Sequence, residues 1–218
     1  MFTDSASAAL RTSAAGTGRD EELPAAPFRI VTCGRTDAGR QEAEHFVQER
    51  FRRTHGASIH TFMPSLLVVA DEAARILGVA GCRRASDERL YLERYIDRPI
   101  EELLATATGA RIQRHQIVEI GNFACRDPRV ARKFMSMLSP YLLGQEYSWI
   151  TFTATISIRR ILRHLGARCV DLGPANGACA HGGADEWGRY YANDPRVMAG
   201  YLPLARRIPA LWSAWHAD

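Results

Sequence analysis

From position 28 onward the chain alternates short apolar runs with segments of helical spacing, whereas residues 1–27 carry no apolar period. Residues 28–33 read as a strand. Residues 37–55 put Ala43, Phe46, Val47, Arg50 and Phe51 at helical spacing, with Thr36 as the expected cap. Residues 66–70 and 76–82 are apolar runs joined by a five-residue connection, which predicts a hairpin. Residues 91–108 are expected to start extended and to turn helical at Pro99, with Glu101 and Glu102 in the first turn. A strand over 116–120 runs into Gly121–Cys125; Asp127 then reads as a cap and Pro128 as a first-turn residue before a helix over 130–143. Residues 148–155 predict a strand, 157–165 a short helix closed by Gly166, and 168–172 a further strand. Residues 173–188, rich in Gly and Ala, are expected to be a loop with little structure of its own.

This order implies an α/β protein with a mixed, twisted sheet. An antiparallel hairpin lies in its first half and strand–helix–strand crossovers in its second, with helices on both faces. Two units are expected: a flexible N-terminal tail, residues 1–27, and one domain spanning residues 28–218. No run approaches the ~18 apolar residues of a membrane-spanning helix, and residues 1–27 lack the pattern of a secretory signal. The expectation is a cytoplasmic protein without integral membrane association.

Charge is unevenly distributed. The chain carries a formal +4, and residues 126–168 hold eight basic side chains against Asp127 and Glu146. That cluster suits a phosphate-bearing ligand, or simply a solvated helix face. The five cysteines are widely spaced and contain no paired motif, so no disulfide framework or metal site is expected. Cys125 stands apart because it precedes a helix start, where a thiol pKa is open to being lowered.

Four blocks then carry a resemblance: Leu90 to Glu101, Ile117 to Ala124, Phe152 to Thr155, and Trp187 to Tyr191 with Pro195 to Val197. In this order they resemble the thermostable hemolysin family, over about residues 28–204. That family is related to the GNAT acyltransferase superfamily and similar to acyl-homoserine-lactone synthases. The resemblance implies a sheet whose central parallel strands, here 116–124 and 148–155, splay apart to expose a strand edge to an acyl donor. It implies an enzyme that forms an amide bond, moving an acyl or aminoacyl group to the amine of a small molecule.

Residue by residue, the expectations are these. Glu119, among Ile117, Val118 and Ile120, reads either as a general base with a raised pKa or as the partner of a buried arginine. By strand alternation Asn122 falls on the opposite side from Glu119, as a site polar group or a bulge former. Tyr190 and Tyr191 read as phenols that protonate the leaving group, or as packing anchors. Glu93 reads as a binder of a cationic acceptor, or as the partner of Arg94 or Arg98. Phe123, Ala124, Cys125, Thr153, Thr155 and Trp187 complete the expected substrate site.

The glycine-rich pyrophosphate loop of acetyl-CoA-binding relatives is replaced here by Cys125-Arg-Asp-Pro-Arg-Val130. Pro128 removes an N–H and Asp127 puts a negative charge where phosphate would sit. Arg126, Arg129, Arg132, Lys133 and Arg159 would then attract phosphate through side chains alone. No tightly bound cofactor or metal is expected. The donor is expected to be an acyl thioester, on CoA or a carrier protein, or an aminoacyl-tRNA. Two other classes fit the sequence: a membrane-active protein using residues 158–165 as a basic amphipathic helix, or a non-catalytic nucleic-acid-binding domain.

Overall fold

The computed structural model describes residues 29–205, so the expected tail and Phe28 lie outside the described residues. One seven-stranded mixed sheet organises them. Its strands in chain order are β1 (Ile30–Cys33), β2 (Ser65–Ala70), β3 (Ile76–Arg84), β4 (Ile117–Cys125), β5 (Trp149–Ala154), β6 (Cys169–Pro174) and β7 (Arg196–Tyr201). Across the sheet the order is β1-β2-β3-β4-β5-β7-β6. The β2–β3 hairpin expected from the two apolar runs is present, and β4 pairs with β5 in parallel.

Helices α1 (Arg40–His55) and α2 (Ile100–Thr108) cover one face, and α3 (Pro128–Gly144), α4 (Ile156–His164) and α5 (Leu202–Ala205) cover the other. Phe134, Leu138 and Leu142 of α3 pack with Val118, Ile120 and Phe152. On the opposite face, Ala43, Val47 and Phe51 of α1 pack with Leu66, Val68 and Val79. Fully burying each of these aliphatic side chains contributes ~1.5–3 kcal/mol. The α/β class, the mixed sheet and the two helical layers follow the sequence expectation.

Several local expectations are corrected. Helix α1 starts at Gly39 without a side-chain cap; not Thr36 but Asp37 acts nearby, accepting from the Gly34 N–H. The stretch before Pro99 is a short turn of 3₁₀ helix, Leu92–Arg94, rather than extended chain. Residues 173–188 are ordered into the turns Gly177–Cys179 and Ala184–Trp187, and this segment is pinned to the end of α1. The Arg189 N–H donates to His55 O at 2.7 Å and the Ser58 N–H to Glu186 O at 2.7 Å. Gly188, at φ +52°, fits this contact because a Cβ would sit 2.3 Å from His55 O. Finally, β7 was not expected as a strand. It enters between β5 and β6, antiparallel to both, so the crossover from β5 through α4 leads to a strand that is not β5's neighbour.

Helix α4 was one candidate for a membrane-facing element. Its Ile158 and Leu162 instead pack against the core on the α3 side. No helix among the described residues is long and apolar enough to cross a membrane.

Candidate active site

β4 and β5 pair only from Ile117–Trp149 to Ile120–Phe152. Beyond that point the β5-facing edge of β4 has no strand partner, and the two strands diverge. The divergence coincides with a break in β4's own ladder. Its register with β3 shifts between Val79 and Gly81, and Asn122 adopts φ +45°, a left-handed conformation uncommon outside glycine. The extra residue of this bulge inverts the strand's alternation. Val118 and Ile120 face α3, but so do Phe123 and Cys125, while Ala124 faces α1.

Asn122 therefore lies on the same face as Glu119, not the opposite one. Its amide is held by the chain segment after α1: Oδ1 accepts from the Met63 N–H at 2.9 Å and Nδ2 donates to Thr61 O at 3.1 Å. Gly81 is needed opposite it, since a Cβ there would meet Asn122 Oδ1 at 2.8 Å and the Met63 side chain at 2.6 Å.

A cavity of about 550 Å³ passes through the splay. On the α1 side its wall is polar and aromatic: Arg50, Phe51, Thr54 and His55 from α1, Tyr91 and Tyr95 from the turn before α2, and Trp187 and Tyr190 from the ordered loop. The rings form a contiguous set. Trp187 and Tyr190 centroids are 5.3 Å apart, His55 and Tyr190 5.3 Å, and Tyr91 and Trp187 6.0 Å. On the opposite side the wall is mainly apolar, built from Met135 and Leu138 of α3, Ile158, Ile161 and Leu162 of α4, and Leu202 and Leu204 of α5.

Glu119 lies on the cavity wall with only 2% of its surface exposed. Among the described residues no ion pair holds it. Its two oxygens accept from the backbone N–H groups of Tyr91, at 2.7 Å, and Leu92, at 2.9 Å. Burial pushes its pKa up to about 7, against the opposing pull of these two N–H groups and of Arg83 across the β3–β4 ladder. A carboxyl group at this pKa exchanges protons near neutrality.

Of the other expected site residues, Phe123, Ala124, Cys125, Thr153, Thr155, Trp187, Tyr190 and Arg126 line the cavity. The Tyr190 hydroxyl donates to Thr153 O at 3.4 Å, and burial raises its pKa, so it is a neutral donor. Tyr191 stands behind the wall, its hydroxyl 2.7 Å from that of Tyr95. Thr151, buried in β5, donates to Val118 O at 3.2 Å. Cys125 is corrected: burial raises its thiol pKa rather than lowering it, so it is an inert wall residue.

Glu93 does not reach the cavity wall. It is 4% exposed and bonded to the N–H groups of Leu90 and Ile100 and to Arg114, which also binds Glu101. Burial works against its charge, but Arg114 and those N–H groups outweigh it and hold the pKa below the ordinary value. Neither Arg94 nor Arg98 is its partner; Arg94 instead lies over the Tyr91 ring at 3.8 Å.

At the start of α3 the Asp127 carboxylate accepts from the N–H groups of Arg129, at 2.8 Å, and Val130, at 3.0 Å. The helix N-terminus is thus closed by its own cap. Arg129 and Arg132 are exposed, Lys133 is half-buried, and Arg159 pairs with Asp194, tying α4 to the turn after Tyr190. None of these four lines the cavity. Sequence reasoning missed Arg50, Thr54 and His55 as wall residues. The available signal was an (i, i+4) pairing, 50 with 54 and 51 with 55, at the end of an amphipathic helix.

Solved structures similar to this chain include two synthases and a putative N-acetyltransferase. An N-acyl amino acid synthase from uncultured soil microbes, FeeM, superposes with a TM-score of 0.55 at 16% identity, covering 82% of this chain and 98% of that one. The acyl-homoserine-lactone synthase LasI gives 0.55 at 12% identity, covering 85% and 96%. A putative N-acetyltransferase from Lactobacillus plantarum gives 0.50 at 11%, covering 81% and 99%. These likenesses establish a GNAT-like fold. No curated protein matches the chain. A family model for thermostable hemolysin matches residues 33–205, nearly the whole described structure, and the chain belongs to the thermostable hemolysin family.

Proposed function

We propose that this protein is an N-acyltransferase that moves an acyl group from a thioester donor to the amine of a small molecule. One observation carries the reading. A single cavity threads the β4–β5 splay, with a buried carboxyl at one side and an apolar arm at the other. The arm lined by Ile158, Ile161, Leu162 and Leu138 suits an acyl chain, whose transfer from water contributes ~0.8 kcal/mol per buried CH₂. It suits an aminoacyl ester with a charged amine poorly, which favours the thioester over an aminoacyl-tRNA. Among proteins of this fold, FeeM is an N-acyl amino acid synthase, and MesI is a CoA-dependent acyl-homoserine-lactone synthase with a TM-score of 0.50 at 16% identity.

The donor thioester lies along the unpaired edge of β4, where backbone N–H groups stabilise the developing oxyanion. The acceptor amine approaches from the aromatic side. As its nitrogen attacks the carbonyl carbon, the C–N bond forms and the amine proton passes to Glu119, directly or through water. The C–S bond then breaks, and the thiolate takes a proton from Tyr190, which recovers it from Glu119 through water. Because Asp127 closes the N-terminus of α3, phosphate groups of a donor meet side chains such as Arg126 rather than a backbone cradle. Free acetyl-CoA accordingly binds weakly, and a longer acyl chain or a carrier protein supplies the missing affinity.

The test is transfer from labelled decanoyl-CoA, decanoyl carrier protein and aminoacyl-tRNA to a panel of amines. Turnover from a decanoyl donor is expected, with Glu119→Gln slowing it ~10²–10⁴-fold in a folded protein. Transfer from aminoacyl-tRNA alone, or undiminished turnover in Glu119→Gln, would overturn the donor or the base respectively.

A further inference from the structure

The wall contributed by α1 holds two orphaned polar atoms. Arg50 Nε and His55 Nδ1 are both buried without a hydrogen-bond partner, and both residues line the cavity. Arg50 is the more telling. No hydrogen bond or ion pair joins its guanidinium to any described residue. The contrast is Arg40, ten residues earlier on the same helix. Arg40 is 6% exposed and bonded through each of its three guanidinium nitrogens, to Glu44, Met63 O and Pro64 O. Arg83, the third residue with an orphaned atom, donates to Arg89 O and has Glu88 at 3.6 Å.

Arg50 is partly buried, with Nε shielded from water and no counter-charge bonded to it among the described residues. Such a group on a cavity wall calls for an anion brought by the ligand. Its charge reaches the Cys125 end of β4, opposing the rise of that thiol's pKa, so it acts over the stretch where the reaction takes place. On its own helix the neighbours are Phe51, Thr54 and His55, which face the aromatic side of the cavity. His55 is kept neutral near pH 7, since burial and Arg189 both lower its pKa. It therefore adds a hydrogen-bonding group without competing charge.

We propose that Arg50 binds a carboxylate on the acceptor, so that the acceptor is an amino acid, or another amine bearing a carboxylate, and not a simple amine. The inference rests on the N-acyltransferase reading. Glu119 and the aromatic wall take the amine end, which attacks as the free amine, while Arg50 takes the acid end. The same chemistry would also serve a donor phosphate. The acceptor is favoured because Arg50 belongs to the aromatic side, whereas the start of α3 stands on the donor side.

The experiment compares acceptors that differ only in the carboxylate: phenylalanine with phenethylamine, and leucine with isoamylamine. Each is measured with a decanoyl donor and, separately, by calorimetric binding without donor. The wild type is expected to prefer the amino acids by at least ~10-fold, the low end of the range for a charged hydrogen bond. In Arg50→Met that preference collapses toward unity through the acceptor KM, and Arg50→Lys restores part of it. Melting temperature should hold steady or rise in Arg50→Met, since no partner is lost. Equal use of both members of a pair by the wild type would overturn the proposal while leaving N-acyl transfer intact. A rise confined to the donor KM would reassign Arg50 to phosphate. If no donor supports transfer, N-acyl transfer fails, and the binding arm still decides. Amino-acid binding lost in Arg50→Met upholds the anion site, and absent binding in the wild type removes it.

Discussion

Two glutamates, 26 positions apart, are both almost fully buried and both accept two backbone N–H groups, yet they are set up for different tasks. Glu93 closes the junction between the turn Leu92–Arg94 and α2, and Arg114 neutralises it from the far side. Glu119 opens onto a cavity and has no cationic partner bonded to it. The consequence is opposite pKa shifts, downward for Glu93 and up to about 7 for Glu119. Burial alone does not make a reactive carboxyl. Burial without a bonded counter-charge, beside open space, does.

The largest effect that would break this comparison is on stability. Glu93→Ala leaves Arg114 with Glu101 as its one bonded carboxylate among the described residues and two buried N–H groups unsatisfied, so a loss of about 3–5 kcal/mol is expected in chemical denaturation. Glu119→Gln should lose less stability than this and far more activity. A catalytic defect in a folded Glu93 variant as large as that of Glu119→Gln would erase the distinction.

A pH series sharpens it further. Between pH 4.5 and 7 the folded protein keeps a proton on Glu119 that the unfolded chain has released, so this group's contribution to stability falls as pH rises through that window. The drop amounts to about 3 kcal/mol and flattens above pH 7. It should be absent from Glu119→Gln when both proteins are unfolded by urea at pH 5 and pH 8. Glu93 acts in the other direction. Its contribution is present above its ordinary pKa and is lost as pH falls below that value. The transfer rate should rise with pH through about 7 as the base loses its proton.

The smallest effect belongs to a third carboxylate on two backbone N–H groups, Asp127, whose side chain is one-quarter exposed. Its pKa is also lowered, with burial opposing but the Val130 and Arg129 N–H groups and Arg126 prevailing. Asp127→Ala should cost about 1 kcal/mol, measured by thermal melting. The same variant frees the N-terminus of α3, and tighter binding of free CoA by calorimetry would identify Asp127 as what keeps phosphate out.

Local signals in the chain were read well because their physics is local. The spacing of Ala43, Val47 and Phe51 forces one helix face inward, and Asp127 caps the helix it begins. The blocks that resemble a family also fall on the strands and turns that build the cavity. Asn122 was legible as a bulge former but not in its direction, because inverting the alternation requires β3 to slip its register against β4.

By itself, then, the sequence determined the element order as far as β6, the α/β class and the polar and apolar faces, all set by contacts within a few residues. Only the tertiary structure decided which buried glutamate meets an arginine. Arg114 reaches Glu93 because α2 folds back beside it, and nothing comparable reaches Glu119. It also decided that β7 slides between β5 and β6, and that the end of α1, held by the loop at Gly188, supplies a wall with an unpartnered Arg50. These outcomes depend on which distant segments arrive at one place, and electrostatic pairing is a function of distance in space rather than along the chain.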